Sequence, residues 1–161
     1  MTVIRILMTC ILSGIATAAI AQTNISLGGI SADASAPIEI SADSLSVDQD
    51  TGKATFSGNV VIGQGALRLS AGEVEVIYAE GSGQIASLKA KGGATFVTET
   101  EAAEAETADY NLETGSLILI GDVLLTQGSS AISAERMSIN LNTGDAELSG
   151  RVRTIIQQGG N

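Results

Sequence analysis

The side chains that most often do chemistry in proteins are scarce in this sequence. It contains no His, the commonest general base and metal ligand, and a single Cys, Cys10, among 161 residues. Thiolate catalysis and cysteine-based zinc sites are therefore excluded beyond position 10. The many serines have no base spaced to activate them. The sequence predicts no catalytic site, no metal site and no cofactor.

Two carboxylate patterns offer alternatives. Glu73 and Glu75 could serve as a paired acid and base in a polysaccharide-acting enzyme. Residues two apart on a strand share one face, however, and here that face is predicted to be the solvated one. The stretch Asp48-Gln49-Asp50-Thr51-Gly52 partly resembles the opening of a calcium loop. The equivalent stretches 111–115 and 140–144 lose the carboxylate spacing, which favours a hairpin turn at all three places.

The surrounding elements are predicted to be short strands. Apolar residues alternate with polar ones, as in Ile38 and Ile40 or Val60 and Ile62, and such alternation is typical of strands with one buried face. Nineteen Gly against one Pro favour many tight turns. The alternation is interrupted at Gly58, Gly121 and Gly150. Such an interruption is typical of a bulge or a sheet corner, and we interpret the three glycines in this way.

The sequence also repeats itself. A shift of 63 residues places Ala42-Asp43 on Ala105-Glu106 and Gly58 on Gly121, and a shift of 29 operates within each half. We therefore infer four 29-residue units, with five extra residues assigned to an acidic loop at Thr98 to Glu106. The predicted fold is all-β, an elongated antiparallel sandwich or jellyroll of about 14 to 16 short strands. Its inner face should carry a row of aliphatic residues, and its two end strands should remain open.

The N-terminus resembles an export signal. Arg5 precedes an apolar run, Ile6 to Ile20, and a small-x-small pattern predicts cleavage between Ala21 and Gln22. We divide the chain into a signal peptide (1–21), a flexible segment (22–36), a β-domain (37–157) and a disordered tail (158–161). The chain without the signal peptide, which contains Arg5, has seven basic and 18 acidic residues and a net charge near −11. Nucleic acid is therefore a poor partner.

Several strings within the repeat resemble the OstA-like family. The first copy carries Ile40-Ser41-Ala42-Asp43, Phe56-Ser57-Gly58-Asn59-Val60, Gln64-Gly65 and Leu69-Ser70-Ala71. The second carries Gly121-Asp122-Val123, Gln127-Gly128 and Ile132-Ser133-Ala134-Glu135. The resemblance covers about residues 36 to 157. The sequence departs from the pattern at Gly72, where an acidic residue would follow the alanine.

The resemblance implies a β-jellyroll with a V-shaped section and a lipopolysaccharide-transport function in the periplasm. Its inner face would take the acyl chains of lipid A. The implied lining residues are Ile40, Leu45, Val47, Phe56, Val60, Ile62, Leu67, Leu69, Val74, Val76, Leu88, Phe96, Leu117, Leu119, Val123, Leu125, Met137, Ile139 and Leu148.

The resemblance also implies partners at the two ends. The edge strands would carry Ile38 and Ile40 at one end and Val152, Thr154 and Ile156 at the other. They would join an inner-membrane-anchored transport component, an outer-membrane translocon or a second copy in head-to-tail fashion. Another member of the same pathway and a structural β-repeat surface protein with a sealed core remain as alternatives. The residues alone do not decide between an open and a sealed interior.

Overall fold

The structure, a computed structural model, describes residues 23–26 and 35–156. These residues form thirteen antiparallel strands in one continuous sheet. The strands are β1 (Thr23–Ser26), β2 (Ile38–Ser41), β3 (Ser44–Asp48), β4 (Lys53–Gln64), β5 (Leu67–Tyr78), β6 (Ile85–Lys91), β7 (Ala94–Val97), β8 (Glu101–Ala105), β9 (Thr107–Asn111), β10 (Ser116–Gln127), β11 (Ser130–Asn140), β12 (Asp145–Ser149) and β13 (Arg153–Ile156). Within the described ranges there is no helix able to cross a bilayer.

A line of corners divides this sheet into two halves. We name as sheet I the order β3-β4-β5-β6-β9-β10-β11-β12-β1, and as sheet II the order β2-β4-β5-β7-β8-β10-β11-β13. The long strands β4, β5, β10 and β11 belong to both halves. Each of them crosses the corner and counts once, which explains why thirteen strands are found where about 14 to 16 were predicted.

The interpretation of the interrupting glycines as corners is confirmed. The strand registers shift between Ser57 and Val60 and between Ile120 and Val123. At the first corner Gly58 has a φ of 79° and Asn59 a φ of 45°. The backbone N–H of Asp43 donates to the carbonyl of Gly58 at 2.9 Å, and the Asn59 amide donates to the Asp43 carboxylate at 2.8 Å.

The same corner recurs along the fold, and it gives the repeated sequence its physical meaning. The N–H groups of Glu106 and Glu135 donate to the carbonyls of Gly121 and Gly150. In each case a side-chain carboxylate covers the Cα of the glycine, so a Cβ there would collide with it. The acid after the alanine and the later glycine are therefore two halves of one structural unit. The departure at Gly72 removes the acid from one corner, where Gly72 lies against Gly92 instead.

The corners also correct the position of the five inserted residues. Asp43, Glu106 and Glu135 each precede their corner glycine by 15 positions, whereas Gly72 precedes Gly92 by 20. The insertion therefore lies in the β5–β6 turn, which closes with a hydrogen bond from the N–H of Ala79 to the carbonyl of Gln84. The predicted loop at Thr98 to Glu106 was wrong, because most of it forms strand β8. Its inward residues are mainly alanines, which give a weak apolar signal.

Replacing Gly58 by alanine should destabilise the fold more than the loss of backbone freedom alone. An L-residue in the left-handed region costs about 1–2 kcal/mol, and the new Cβ would also displace the Asp43 carboxylate, costing roughly 1 kcal/mol more. Chemical denaturation should therefore show Gly58→Ala to be less stable than Gly81→Ala. Gly81 is the matched control, since its φ is 76° but nothing lies within 4 Å of an added Cβ. Equal losses in the two variants would contradict the role of the acid.

The ends of the domain differ in part from expectation. Thr23–Ser26, within the segment predicted to be flexible, forms β1 and pairs with the free edge of β12. Its four residues contain one aliphatic side chain, too few for an alternation signal. The last strand, for which the alternation predicts a start at Arg151, begins at Arg153, because Gly150 and Arg151 adopt the positive φ of a corner. The predicted signal peptide, its cleavage site at Ala21 and Gln22, and the tail 158–161 lie outside the described residues.

Candidate binding site between the sheets

Sheet I presents two rows of apolar side chains to the interior. The strand register aligns Leu45, Phe56, Val74, Ala90, Ala108, Leu119, Met137 and Leu148 in the first row. It aligns Val47, Ala54, Val76, Leu88, Tyr110, Leu117, Ile139 and Ala146 in the second. Because the register is continuous from β3 to β12, the apolar surface runs the whole width of the sheet.

Sheet II faces these rows with an apolar surface that tapers. The positions beside the corner are small: Val60, Ala71, Ala94, Ala105, Val123 and Ala134. The next row is larger: Ile40, Ile62, Leu69, Phe96, Ala103, Leu125, Ile132 and Thr154. Small side chains let the two sheets approach closely at the corner, and larger ones separate them farther out. The interior is therefore narrow at the corner and wide on the opposite side.

Most of the predicted lining residues lie in this interior. The buried ones are Val60, Ile62, Leu67, Leu69, Val74, Val76, Leu88, Phe96, Leu117, Leu119, Val123, Leu125, Met137, Ile139 and Leu148. Ile40 and Phe56 are partly buried and pack against them. Leu45 and Val47, by contrast, are 55% and 62% exposed. They lie on β3, beyond which no strand of the described residues follows, so they form the exposed end of the apolar rows.

The predicted edge residues take similar positions at the two ends. Ile38 and Ile40 lie on β2, the outermost strand of sheet II at one end, and are partly buried. Thr154 and Ile156 lie on β13, the outermost strand at the other end, and are exposed. Val152 is exposed but precedes β13, so its placement on the last strand was wrong.

The sequence-based prediction missed several interior residues. Tyr110, Leu112 and Leu141 contact the core, and alanines fill many inward positions of β6 to β9. The signal was present but weak, since Ala103 and Ala105 alternate with polar residues as a strand requires. Tyr110 stands between the polar residues Asp109 and Asn111, and a lone tyrosine in such a setting resembles a surface residue.

The interior is closed in this structure. A cavity of about 10 Å³ lies on the wide side, and its lining includes Phe96, Leu88 and Leu117. That volume holds one water molecule at most, whereas ligand pockets usually measure about 300–1,000 Å³. A surface depression of about 540 Å³ adjoins the cavity, and Ile38 and Gln64 line both. A ligand larger than a water molecule can enter this cavity only if the two sheets move apart.

A buried polar pair lies where the cavity adjoins the depression. The Tyr110 hydroxyl donates to the Gln64 side-chain carbonyl at 3.0 Å. Gln64 also donates to the backbone carbonyl of Ala36 at 3.5 Å. Both side chains are buried, at 6% and 3% exposure. Since Tyr110 lies on sheet I and Gln64 on the sheet II part of β4, their hydrogen bond joins the two sheets across the interior.

Burial raises the pKa of Tyr110 above its ordinary value, and this has a measurable consequence. The unfolded chain loses the tyrosine proton near pH 10 while the folded chain retains it. The stabilisation is therefore complete below about pH 10 and declines as the pH rises further. We expect the free energy of unfolding to fall above pH 10, and to fall less steeply in Tyr110→Phe. An identical alkaline slope in the two proteins would contradict the burial of this hydroxyl.

A second polar pair occurs at the corresponding place in the other half, where an exposed glutamine contacts a buried carboxylate. Gln127, which the repeat places on Gln64, donates from its side-chain amide to the carboxylate of Glu101. Glu101 is 4% exposed and lies on the inner side of β8. The repeated Gln-Gly pair of the sequence thus places a polar side chain at the wide side of each half.

The other carboxylate patterns have structural explanations. Glu75 pairs with Lys53 at 3.3 Å, and Glu73 pairs with Lys91 at 3.7 Å, across neighbouring strands. Asp48 accepts hydrogen bonds from Thr51 and from the backbone N–H groups of Asp50 and Thr51, and these bonds lower its pKa. Its carboxylate thus closes a turn of its own hairpin. Asn111 and Asn140 accept backbone hydrogen bonds in the equivalent turns.

The fold and the interior together describe a β-jellyroll with a tapered apolar interior, closed by two sheets that share a row of corners. Residues 39–145 match the family described as LptA/(LptD N-terminal domain) LPS transport protein. The chain belongs to this family of lipopolysaccharide transport proteins.

Two similar proteins are known, one by sequence and one by fold. An uncharacterized protein of Rhizobium meliloti (strain 1021) is 30% identical over 143 residues, which are 83% of this chain and 77% of that protein. The crystal structure of LptH from Pseudomonas aeruginosa superposes with a TM-score of 0.71 and 19% identity. The superposition covers 79% of this chain and 99% of the LptH chain. LptH is described as the LptA homologous periplasmic component of the conserved lipopolysaccharide transport device. At this identity the likeness shows the fold, which confirms the predicted β-jellyroll.

Proposed function

We propose that this protein is a periplasmic bridge of the LptA type, which holds the lipid A acyl chains of lipopolysaccharide between sheets I and II. It would pass the lipid from an inner-membrane-anchored component to an outer-membrane translocon. The observation that carries the proposal is the continuous apolar register from β3 to β12. A sealed core needs only burial, whereas a lipid path also needs apolar residues exposed where it ends, as Leu45 and Val47 are.

The energetics of lipid transfer fit such an interior. Each methylene removed from water gains about 0.8 kcal/mol, so one chain of a dozen carbons gains on the order of 10 kcal/mol. Because exposing an acyl chain to water has that cost, free diffusion of the lipid through water is slow. An interior that accepts the chain and continues into a neighbouring protein lowers the barrier. The acidic exterior repels phosphate groups, so we infer that the sugar and phosphate part of the lipid stays outside.

The same geometry suggests how partners join. Edge strands present unpaired backbone groups that accept a strand from another chain. The β2 and β3 edges would join one partner and the β12 and β13 edges the other, or a second copy of this chain in head-to-tail fashion. In each case the inner rows of the two proteins would align. The protein would have no catalytic role in this arrangement, and its work would be binding and transfer.

The closed interior favours a second candidate, a structural β-repeat protein with a sealed core. A photocrosslinking scan distinguishes the two. Diazirine amino acids at Phe96 and Leu119 face the interior, and those at the neighbouring positions Val97 and Ile120 face outward, being 38% and 40% exposed. In cells making lipopolysaccharide, adducts should form at Phe96 and Leu119 and be absent at the two controls. Clean results at both inner positions would establish the sealed core.

The mature N-terminus distinguishes this proposal from a membrane-anchored member of the same family. Cleavage after Ala21 would release the protein, whereas an uncleaved apolar run would retain it at the membrane. N-terminal sequencing of the protein from periplasmic extracts should therefore begin at Gln22. Recovery of the intact chain in the membrane fraction would favour the anchored alternative.

A further inference from the structure

The interior is held shut in different ways on its two sides. At the corner, continuous strands and repeated backbone hydrogen bonds, such as that from Asp43 to Gly58, join the sheets permanently. On the wide side no described strand crosses from one sheet to the other. Side-chain contacts close that side, and among them is the hydrogen bond from Tyr110 to Gln64. The two sheets can therefore separate on the wide side without breaking the corner.

This hydrogen bond lies where the interior meets the surface on the wide side, so it can hold that side closed. Gln64 is the last residue of β4, beside the hairpin that begins β5, and Tyr110 is next to the last residue of β9. Both line the small cavity, and Gln64 also lines the depression outside it. The depression is partly apolar, with Ile38, Ile85 and Leu112 on its walls. An apolar approach thus leads from the surface to this pair, and an apolar interior continues behind it.

We propose that Tyr110 and Gln64 form a latch that closes a lateral entrance to the interior, and that fatty acyl chains enter there when the latch opens. The inference rests on the proposed lipid-binding function and assigns its point of entry. Opening leaves a buried hydroxyl and a buried amide without each other, which is costly unless a new partner replaces the lost one. The carbonyl of an acyl ester or amide can accept the Tyr110 hydrogen bond in place of Gln64. The latch therefore favours acyl groups over plain hydrocarbons.

The repeat gives the latch a counterpart with a different chemistry. Gln127 occupies the position of Gln64 in the other half, but it bonds to Glu101 of the same sheet rather than to a residue of the facing sheet. The hydrogen bond to Tyr110 spans the interior, and the hydrogen bond to Glu101 does not. The proposal therefore places the entrance where the end of β4 meets the end of β9, and predicts no equivalent effect from Gln127.

Uptake kinetics test the latch. The probe is a fluorescent fatty acid whose emission rises in an apolar environment, mixed with the purified chain from Gln22 onward in a stopped-flow instrument. Tyr110→Phe removes one hydroxyl and keeps the ring, and Gln64→Leu removes the acceptor. Each should speed uptake by about 2- to 12-fold, the ratio that one hydrogen bond of ordinary net strength represents. The double variant should be no faster than the faster single variant, since both remove the same bond.

The controls are Tyr78→Phe and Gln127→Leu, the second of which changes the exposed glutamine at the repeat-equivalent position. Tyr78 is the chain's other tyrosine and is 42% exposed. The Tyr78→Phe variant should therefore take up the probe at the rate of the wild type. Should Tyr110→Phe fold poorly, Gln64→Leu carries the test. Rates for both latch variants within the scatter of the controls would overturn the latch while leaving lipid binding intact. Failure of every protein to take up the probe, with no lipid adducts at Phe96, would instead overturn the proposed function.

A distance measurement tests the opening itself. Spin labels at Glu39→Cys on β2 and Lys89→Cys on β6 report the separation of the two sheets, because both positions are exposed and lie on opposite halves. The single native cysteine, Cys10, precedes Gln22, so the purified chain that begins at Gln22 contains no other cysteine to be labelled. We expect the distance distribution to broaden toward longer values in Tyr110→Phe and on addition of the fatty acid. Unchanged distributions under both conditions would contradict a moving wide side.

Discussion

Replacing Phe96 by alanine should lower the free energy of unfolding by about 3–5 kcal/mol, the usual cost of removing a buried aromatic ring. Phe96 is 1% exposed and already lines the small cavity. The variant would therefore extend that cavity into the space of a phenyl ring. In a sealed core the loss is not recovered, because water does not fill an apolar cavity and a long acyl chain has no way in.

A lipid carrier should recover part of this loss. A ligand that binds only the folded chain stabilises it by about 2.7 kcal/mol at a hundredfold excess over its dissociation constant. The enlarged interior of Phe96→Ala should bind a fatty acid more readily than the wild type does. Urea denaturation with and without lauric acid should thus show a larger ligand-induced stabilisation in the variant.

The neighbouring residue provides the control for this experiment. Val97 is on the same strand, faces outward and is 38% exposed. Val97→Ala should change stability by less than about 1 kcal/mol and leave the response to lauric acid unchanged. If lauric acid stabilises neither the wild type nor Phe96→Ala, the interior is a sealed core and the structural alternative gains support.

How far the sequence predicts this interior depends on the kind of residue concerned. Val, Ile and Leu at alternate positions identify the inner rows, and most of the predicted lining residues are buried. The alanines beside the corner were missed, although they shape the taper. A small side chain has too little apolar surface to mark a strand face, and its role becomes evident only when the opposite sheet is seen. Tyr110 and Gln64 were missed as a pair because they are 46 residues apart.

The ends of the apolar rows could not be predicted for a related reason. Alternation shows that Leu45 and Val47 share one face of their strand, and the register then places Leu45 beside Phe56. It does not show that β3 is an edge strand, which depends on the order of strands in the folded sheet. The position of the insertion had the same ambiguity. Acidic composition pointed to Thr98–Glu106, whereas the spacing between Gly72 and Gly92 places it in the β5–β6 turn.

Introducing aspartate at both Leu45 and Val47 should abolish assembly through this end while leaving the folded chain intact. The two side chains are 55% and 62% exposed, so the substitutions should change the free energy of unfolding by less than about 1 kcal/mol in total. In a joined interior the same positions would be buried against the next protein. An unpaired carboxylate buried there costs about 3–5 kcal/mol, which weakens association by a factor of about 100 or more.

Val61→Asp is the control for this prediction. Val61 is an apolar residue of β4 with 39% exposure, but it faces away from the interior. Sedimentation velocity over a range of concentrations should show head-to-tail association for the wild type and for Val61→Asp, and monomers for Leu45→Asp/Val47→Asp. Equal weakening by the outer and inner substitutions would mean that charge alone opposes assembly. Loss of association in Leu45→Asp/Val47→Asp alone would mean that the apolar rows continue from one protein into the next, as passage of a lipid chain requires.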